Sequence, residues 1–245
     1  MSVISAQMCS KHWPDLMQKW MQHPYVYLSF SEFGEDQSVV FLFLSHFSNP
    51  ATNKGFYVDL GAFDPIRSSN TYMLHLMGWR GMNVDANPEI ISRYRRLRPN
   101  DINIASGVSD RNEVLPFHYF NVRGASSFDP KQVERMKKKR FRELKVEDIP
   151  CRDVNELLAE YLPKGSEINY LNIDLEGYDE RVALHLDLER FRPEILTVEL
   201  LTDDLIATVN HPVTQKMIQS EYRYLCRQGF TSFFVDERKA RFMKR

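Results

Sequence analysis

Two carboxylates spaced one residue apart, Asp174 and Glu176, end the apolar run Ile168 to Leu175, and Gly177 follows at once. Acids so placed can do two kinds of chemistry. Held close, they raise one another's pKa, so that one can accept a proton near neutral pH. Asp174 is then the general base or substrate orienter, with Glu176 as its partner. Together with Glu199 they also offer an all-oxygen ligand set that suits Mg2+ or Mn2+, although no recognised metal-site spacing is present. A third role open to Glu176 is electrostatic capping of the helix that follows. His118 and His211 are rival bases. His118 lies in an alternating run, where a histidine is ordinarily structural. His211 precedes Pro212 in a loop beyond Glu199, a rim position.

These acids need a frame. Residues 168–175 read as a central parallel strand, and in open α/β sheets ligands bind beyond the carboxyl ends of the strands. Phe56 to Leu60, bounded by Gly55 and Gly61, reads as a second buried strand. It ends in the small turn Gly61-Ala62, which leaves room for a ligand near the backbone. Gly81 to Asp85 reads as the next strand, and an acid at its end accepts hydrogen bonds from ribose hydroxyls. The strands frame a nucleoside pocket.

A dinucleotide would require glycine at three positions to bring a helix N-terminus to its pyrophosphate. Here Phe63 stands at the second and Arg67-Ser68 at the third, and Asp64 would repel a phosphate. S-adenosylmethionine has no phosphate, and its sulfonium and ammonium suit Asp59 and Asp64. In that reading Asp85, with Ala86 beside it, holds the ribose. Gly61 and Ala62 back the methionine moiety. Val108 packs on the adenine, with Ser109 nearby. Glu35 meets the ammonium if Ser31–Gln37 folds over the pocket. Two roles are open to Asn70 and Thr71: closing the pocket or capping the helix after them.

The rest of the chain alternates helix and strand. Helices are expected within 1–30 (Met17, Trp20, Met21), after Ser31–Gln37 (apolar face Val39, Val40, Phe43, Leu44), and over Tyr72 to Met77. Another follows Pro88, basic on one side through Arg93, Arg95, Arg96 and Arg98. Further helices are expected over Val154 to Tyr161, Glu180 to Leu188 and Val213 to Gln228. Strands are expected over Ile102 to Val108, Val114 to Phe120 and Ile195 to Leu200, with a closing hairpin whose arms are Thr231–Val235 and Ala240–Met243. Ala125 to Phe128 reads as a loop. The pattern implies an α/β fold with a mostly parallel sheet and helices on both faces. One domain, 1–245, is expected: a helical extension over 1–50 covering the cofactor edge, and a Rossmann-like core over 51–245.

Composition excludes several classes. The chain has 245 residues, 43% hydrophobic and 27% charged, with a formal net charge of -1, so no global field draws nucleic acid. Cys9, Cys151 and Cys226 have no metal spacing and suit a reducing compartment. Lys11, Trp13 and Asp15 interrupt the N-terminus, which does not read as a signal peptide, and no run reaches membrane-span length. A cytoplasmic protein is the expectation. The basic segment 131–145 has three readings: a solvated face, a lid over an anionic acceptor, or a peripheral contact with anionic lipid or a lipid-linked glycan. Its sparse aromatics argue against single-stranded nucleic acid.

The ordered set of motifs resembles the FkbM family of S-adenosylmethionine-dependent methyltransferases. It comprises Val58 to Pro65, Ser69 to Tyr72, Gly78 to Gly81, Val84 to Pro88, Arg98 to Asn103, Gly107 to Asp110, Ile168 to Gly177 and Arg192 to Glu199, with Ser31 to Asp36 similar to the family's N-terminal element. The resemblance implies a class I methyltransferase sheet, mostly parallel and seven-stranded with a closing antiparallel hairpin. It also implies O-methylation of a sugar hydroxyl in a glycan, polysaccharide or glycosylated metabolite. Pro65 and the short Ala125–Phe128 loop depart from the common pattern. A lipid, phosphate or protein acceptor and a non-catalytic cofactor-binding role are the alternatives. The sequence leaves the oligomeric state open.

Overall fold

The computed structural model describes residues 28–241. The helix expected within 1–30 and the arm running to Met243 lie wholly or partly outside these residues. The described chain builds a seven-stranded sheet from β1 (Phe56–Leu60), β2 (Arg80–Asp85), β3 (Ile102–Ala105), β7 (Tyr170–Ile173), β8 (Ile195–Glu199), β9 (Tyr222–Gln228) and β10 (Thr231–Asp236). Their order is β3-β2-β1-β7-β8-β10-β9. Every pairing from β3 to β8 is parallel, and β10 runs antiparallel to both of its neighbours.

The chain winds outward from β1 to β3, then returns to the centre and winds the other way from β7. The carboxyl ends of β1 and β7 therefore diverge at a topological switch point, where such sheets open a crevice. β7 and β10 are buried along their whole length, as expected of strands covered on both faces.

The helices are α1 (Glu35–His46), α2 (Tyr72–Leu76), α3 (Pro88–Leu97), α4 (Pro130–Lys138), α5 (Val154–Tyr161), α6 (Asp179–His185), α7 (Leu205–Asn210) and α8 (Pro212–Gln219). The starts of α3 and α4 are written locally. Proline opens each, and the Asn87 and Asp129 side chains accept amide hydrogens of the first turn, satisfying donors a helix start leaves free. On α1, Val39, Leu42 and Phe43 are buried, whereas Leu44 faces solvent. Thr71 sits at the start of α2 without a side-chain capping bond.

Four expectations are corrected. The strand expected over Ile102 to Val108 breaks at Ser106. β3 stays in the main sheet, and β4 (Gly107–Ser109) joins a second sheet of order β4-β6-β5, with β5 at Glu113–Phe120 and β6 at Glu143–Asp153. Glycine is required at the break, because a Cβ on Gly107 would lie 2.3 Å from the Cys151 sulfur. β6 was not anticipated at all. It is mostly solvent-facing and so lacks an apolar alternation to read. At the C-terminus the expected Val213–Gln228 helix stops at Gln219, where Glu221 takes a left-handed φ of 63°, and Tyr222–Gln228 is a strand. The hairpin arms are thus β9 and β10, joined at Gly229-Phe230. Arg98, expected with Arg93, Arg95 and Arg96 on the basic side of α3, is fully buried just past the end of that helix. It donates to the Pro65 carbonyl, Ser69, Thr71 and Tyr57 and faces the rings of Tyr57, Tyr72 and Tyr94. It fixes the loop after β1. α7 and the 3-10 turn at Arg123–Ala125 have no counterpart among the expected elements. Among the described residues no helix is long and apolar enough to cross a membrane.

Candidate functional site

A cavity of about 560 Å3 opens at the carboxyl ends of β1, β2, β7 and β8, within the size range of ligand sites. Its floor is the contact between two strand ends. Asp174 N–H donates to the Leu60 carbonyl at 2.9 Å. A Cβ on Gly61, whose φ is +84°, would fall 1.7 Å from the Asp174 carbonyl oxygen. The sequence reading reserved that space for a ligand. On the Cβ side of Gly61 the space is filled by the backbone of the β7 loop, which brings the cofactor turn and the acid loop together, while Gly61 and Ala62 still line the cavity.

Asp85 ends β2 in the cavity wall beside Ala86. One carboxylate oxygen accepts from Asn87 N–H at 2.7 Å and the other from Phe63 N–H at 3.0 Å. Each oxygen keeps a lone pair, so the group can take a vicinal diol. Burial pushes this carboxyl up to about 7 against the pull of the two amides, and the charge of Asp59 adds to the rise. Beyond it lie Val108, Phe117, Phe128 and Tyr178, an apolar and aromatic recess that suits a purine. Ser109 is not part of this wall: it is fully buried and donates to Glu113 at 2.6 Å.

At the opposite end Asp59 accepts from Thr71 Oγ1 at 2.8 Å and from Asn172 Nδ2 at 2.9 Å. Burial raises its pKa, and these two bonds and the Arg98 charge oppose the rise. Asn70 lines the cavity and donates to Asn172 at 3.2 Å. Thr71 is fully buried behind the wall, between Asp59 and Arg98, so its hydroxyl is structural. Glu35, at the start of α1, reaches the cavity and accepts the Phe33 amide hydrogen at 2.8 Å. Asp64 points elsewhere. Burial works against its charged form, but the Arg67 and Ile66 amides and the Arg93 guanidinium outweigh it and hold the carboxyl below its ordinary value.

The acids after β7 and β8 converge. Carboxylate oxygens of Asp174, Asp179 and Glu199 lie within 4.8 Å of one another. Asp179, not the expected Glu176, is the third member of this cluster beside Asp174 and Glu199. Asp179 is already engaged, accepting from Leu175 N–H at 2.5 Å and Gly177 N–H at 2.9 Å, and so shapes the loop. Asp179 and Glu180, not Glu176, are the acids in the first turn of α6.

Glu176 lines the cavity from a left-handed φ of 51°. Its carbonyl accepts from Ser127 Oγ at 2.7 Å. Glu199 Oε2 is buried without a hydrogen-bond partner among the described residues. Burial, then the charges of Glu199 and Asp179, drive the Asp174 carboxyl well above its ordinary value. Burial and neighbouring acids likewise raise Glu176 to about 9 and Glu199 to about 8. Glu176 and Glu199 therefore hold protons at neutral pH, and a cation in the cavity favours their release. Neither histidine lines the cavity: His118 Nδ1 lies 3.4 Å from Glu143, and His211 accepts from Val213 N–H at the start of α8.

The donor set is acid-rich, with a diol acceptor beside an aromatic recess and no glycine-rich phosphate turn. Placed at the switch point of a seven-stranded sheet with an antiparallel seventh strand, it defines a class I methyltransferase site. The family model for the Methyltransferase FkbM domain matches residues 59–230, more than two thirds of the chain. The protein belongs to this family of S-adenosylmethionine-dependent methyltransferases. Neither the curated proteins nor the solved structures gave a match.

Sequence reasoning missed Asp179, Asn172 and the aromatic recess. Only Asp179 carried a local signal, an acid two residues after a glycine that itself follows strand-end carboxylates.

Proposed function

We propose that this methyltransferase acts on a sugar hydroxyl, in a glycan, polysaccharide or glycosylated metabolite, with Asp174 as general base. The supporting observation is the Asp174 carboxyl. It reaches the cofactor crevice, carries no hydrogen bond from a described residue, and is made more basic by burial and then by the acids around it. The cofactor supplies an electrophilic methyl group. The hydroxyl oxygen attacks the methyl carbon in line, the carbon–sulfur bond breaks, and sulfur keeps the electron pair. The hydroxyl proton passes to the Asp174 carboxylate, leaving an ether and S-adenosylhomocysteine. Positioning supplies much of the rate, and a positioned base contributes a further factor of about 10²–10⁴. In the cofactor half, Asp85 takes the ribose, Gly61 and Ala62 back the methionine moiety, and Glu35 and Asp59 face its cationic end.

A second reading gives Asp174, Asp179 and Glu199 a divalent ion, Mg2+ or Mn2+. The unpartnered Glu199 oxygen favours it, and full activity after chelation would dismiss it. A reducing, cytoplasmic setting suits the free thiols of Cys151 and Cys226.

Two measurements test the main reading. Calorimetric titration with S-adenosylhomocysteine should give saturable binding. Cofactor carrying a labelled methyl group should then label glycans in a panel of glycans, phospholipids and polypeptides. Label confined to phospholipid or polypeptide would remove the sugar assignment, and no cofactor binding would leave a non-catalytic role.

A further inference from the structure

The cavity has a wall the mechanism above does not use. α4 is seated on the acid loop at its N-terminal end. A Cβ on Gly177 would meet Asp129 at 2.8 Å and Gln132 at 3.0 Å, so the helix start lies directly against the glycine. Ser127, just before the helix, donates to the Glu176 carbonyl. From this anchor α4 runs along the cavity mouth. Gln132, Arg135, Met136 and Lys139 line it, at the i, i+3, i+4, i+7 spacing of one helix stripe.

Two members of that stripe are cations. Lys137, on another face, pairs with Glu143 at 2.7 Å. Arg135 and Lys139 have no described carboxylate within ion-pair distance. Arg135 is close enough for its charge to oppose the pKa rise of Glu176 and Glu199. The two cations thus belong to the α4 wall beside Glu176 and Glu199, whereas Glu35, Asp59 and Asn70 come from α1, β1 and the loop before α2. Basic residues also complement the C-terminal end of a helix dipole, which accounts for their presence on α4 but not for their facing the cavity.

We propose that the acceptor is itself an anion, a sugar bearing a phosphate or carboxylate that Arg135 and Lys139 hold at the mouth while its hydroxyl reaches Asp174. This rests on the methyltransferase reading given above. Charge orients such a substrate. The exposed cations attract the anionic end, and the acid cluster offers it no positive partner, so the neutral hydroxyl end is the one that enters. Arginine supplies a planar fork that matches either anion with paired hydrogen bonds, and lysine adds a flexible point charge.

The test is calorimetric titration of the protein saturated with S-adenosylhomocysteine, using glucose 6-phosphate, glucuronate and glucose as probes. At least one acidic sugar should bind about tenfold or more tightly than glucose, and the arm that responds names the anion. The preference should disappear in R135Q/K139Q, with affinity for S-adenosylhomocysteine unchanged. It should persist in K131Q/K138Q, which removes the same charge from positions of α4 that do not line this cavity. Equal behaviour of all three sugars, whether all bind or none does, overturns the proposal. So does a preference that survives R135Q/K139Q or falls equally in K131Q/K138Q. Loss of S-adenosylhomocysteine binding in R135Q/K139Q also overturns it, by giving the cations to the cofactor. If the unaltered protein does not bind S-adenosylhomocysteine, the methyltransferase reading itself fails, a separate result read before any sugar is added.

Discussion

Asp174 and Asp85 do opposite jobs with the same side chain, and their surroundings set the difference. Asp85 has a backbone donor on each oxygen and is held in one orientation to accept hydrogen bonds. Asp174 has none and is surrounded by acids, so its lone pairs are free to take a proton. Asp174→Asn keeps the shape and removes the base. We expect turnover to fall at least about a hundredfold, the low end for a positioned base, with S-adenosylhomocysteine affinity within about twofold of the unaltered protein. Turnover near the original rate would assign proton removal elsewhere. At this scale the sequence was legible where an acid stands at or one residue before the end of an apolar run, as at Asp59, Asp85, Asp174 and Glu199. It was illegible where a residue's role depends on a distant neighbour. Arg98 reads as one more charge on the basic side of its helix, and only the tertiary fold reveals that it is buried against three tyrosines and the Pro65 carbonyl. Ser109 and Thr71 stand beside true wall residues in sequence, yet their hydroxyls turn to Glu113 and Asp59.

The decisive joints between elements are glycines. Gly61 and Gly165 both adopt positive φ, but a Cβ on Gly61 would strike the Asp174 carbonyl at 1.7 Å, whereas nothing lies within 4 Å of one on Gly165. Gly165→Ala should therefore cost only the left-handed backbone penalty, about 1–2 kcal/mol. Gly61→Ala carries that penalty plus the separation of β1 from the β7 loop. It should lower the melting temperature further and weaken S-adenosylhomocysteine binding, which Gly165→Ala leaves intact. Equal effects of the two on melting and binding would mean that the strand-end contact does not build the site. Strands β1, β2 and β8 were legible because short apolar runs bounded by Gly or Pro have few other fates. β9 was read as helix although Tyr222, Tyr224 and Cys226 alternate, because the apolar stripe of α8 masks where the period changes. β6 escaped because its side chains mostly face solvent.

Across the whole molecule, the fold gathers carboxylates into one cavity and leaves the net charge near zero, so the site's electrostatics do not show in composition. The consequence is a stability that depends on pH and on the cofactor's charge. Asp85, Glu199 and Glu176 have folded-state values near 7, 8 and 9, above the ordinary 3.8 and 4.5 of Asp and Glu. The folded protein thus binds more protons than the unfolded chain between these limits, and stability falls as pH rises across that window. Their contribution is whole below about pH 4, declines as pH rises from there, and is fully lost once pH has passed the folded values of about 7 to 9. A cation in the cavity favours the charged carboxylates and reverses part of the loss. S-adenosylmethionine carries a sulfonium charge that S-adenosylhomocysteine lacks. The melting temperature of the free protein should therefore decline from pH 5 to pH 9. At matched saturation, S-adenosylmethionine should offset that decline more than S-adenosylhomocysteine, with greater proton release at pH 7.5 when binding heats are compared in buffers of different ionisation enthalpy. A melting temperature that stays level or rises over this range, or equal proton release by the two ligands, would mean that the clustered acids are not the groups that receive the sulfonium charge.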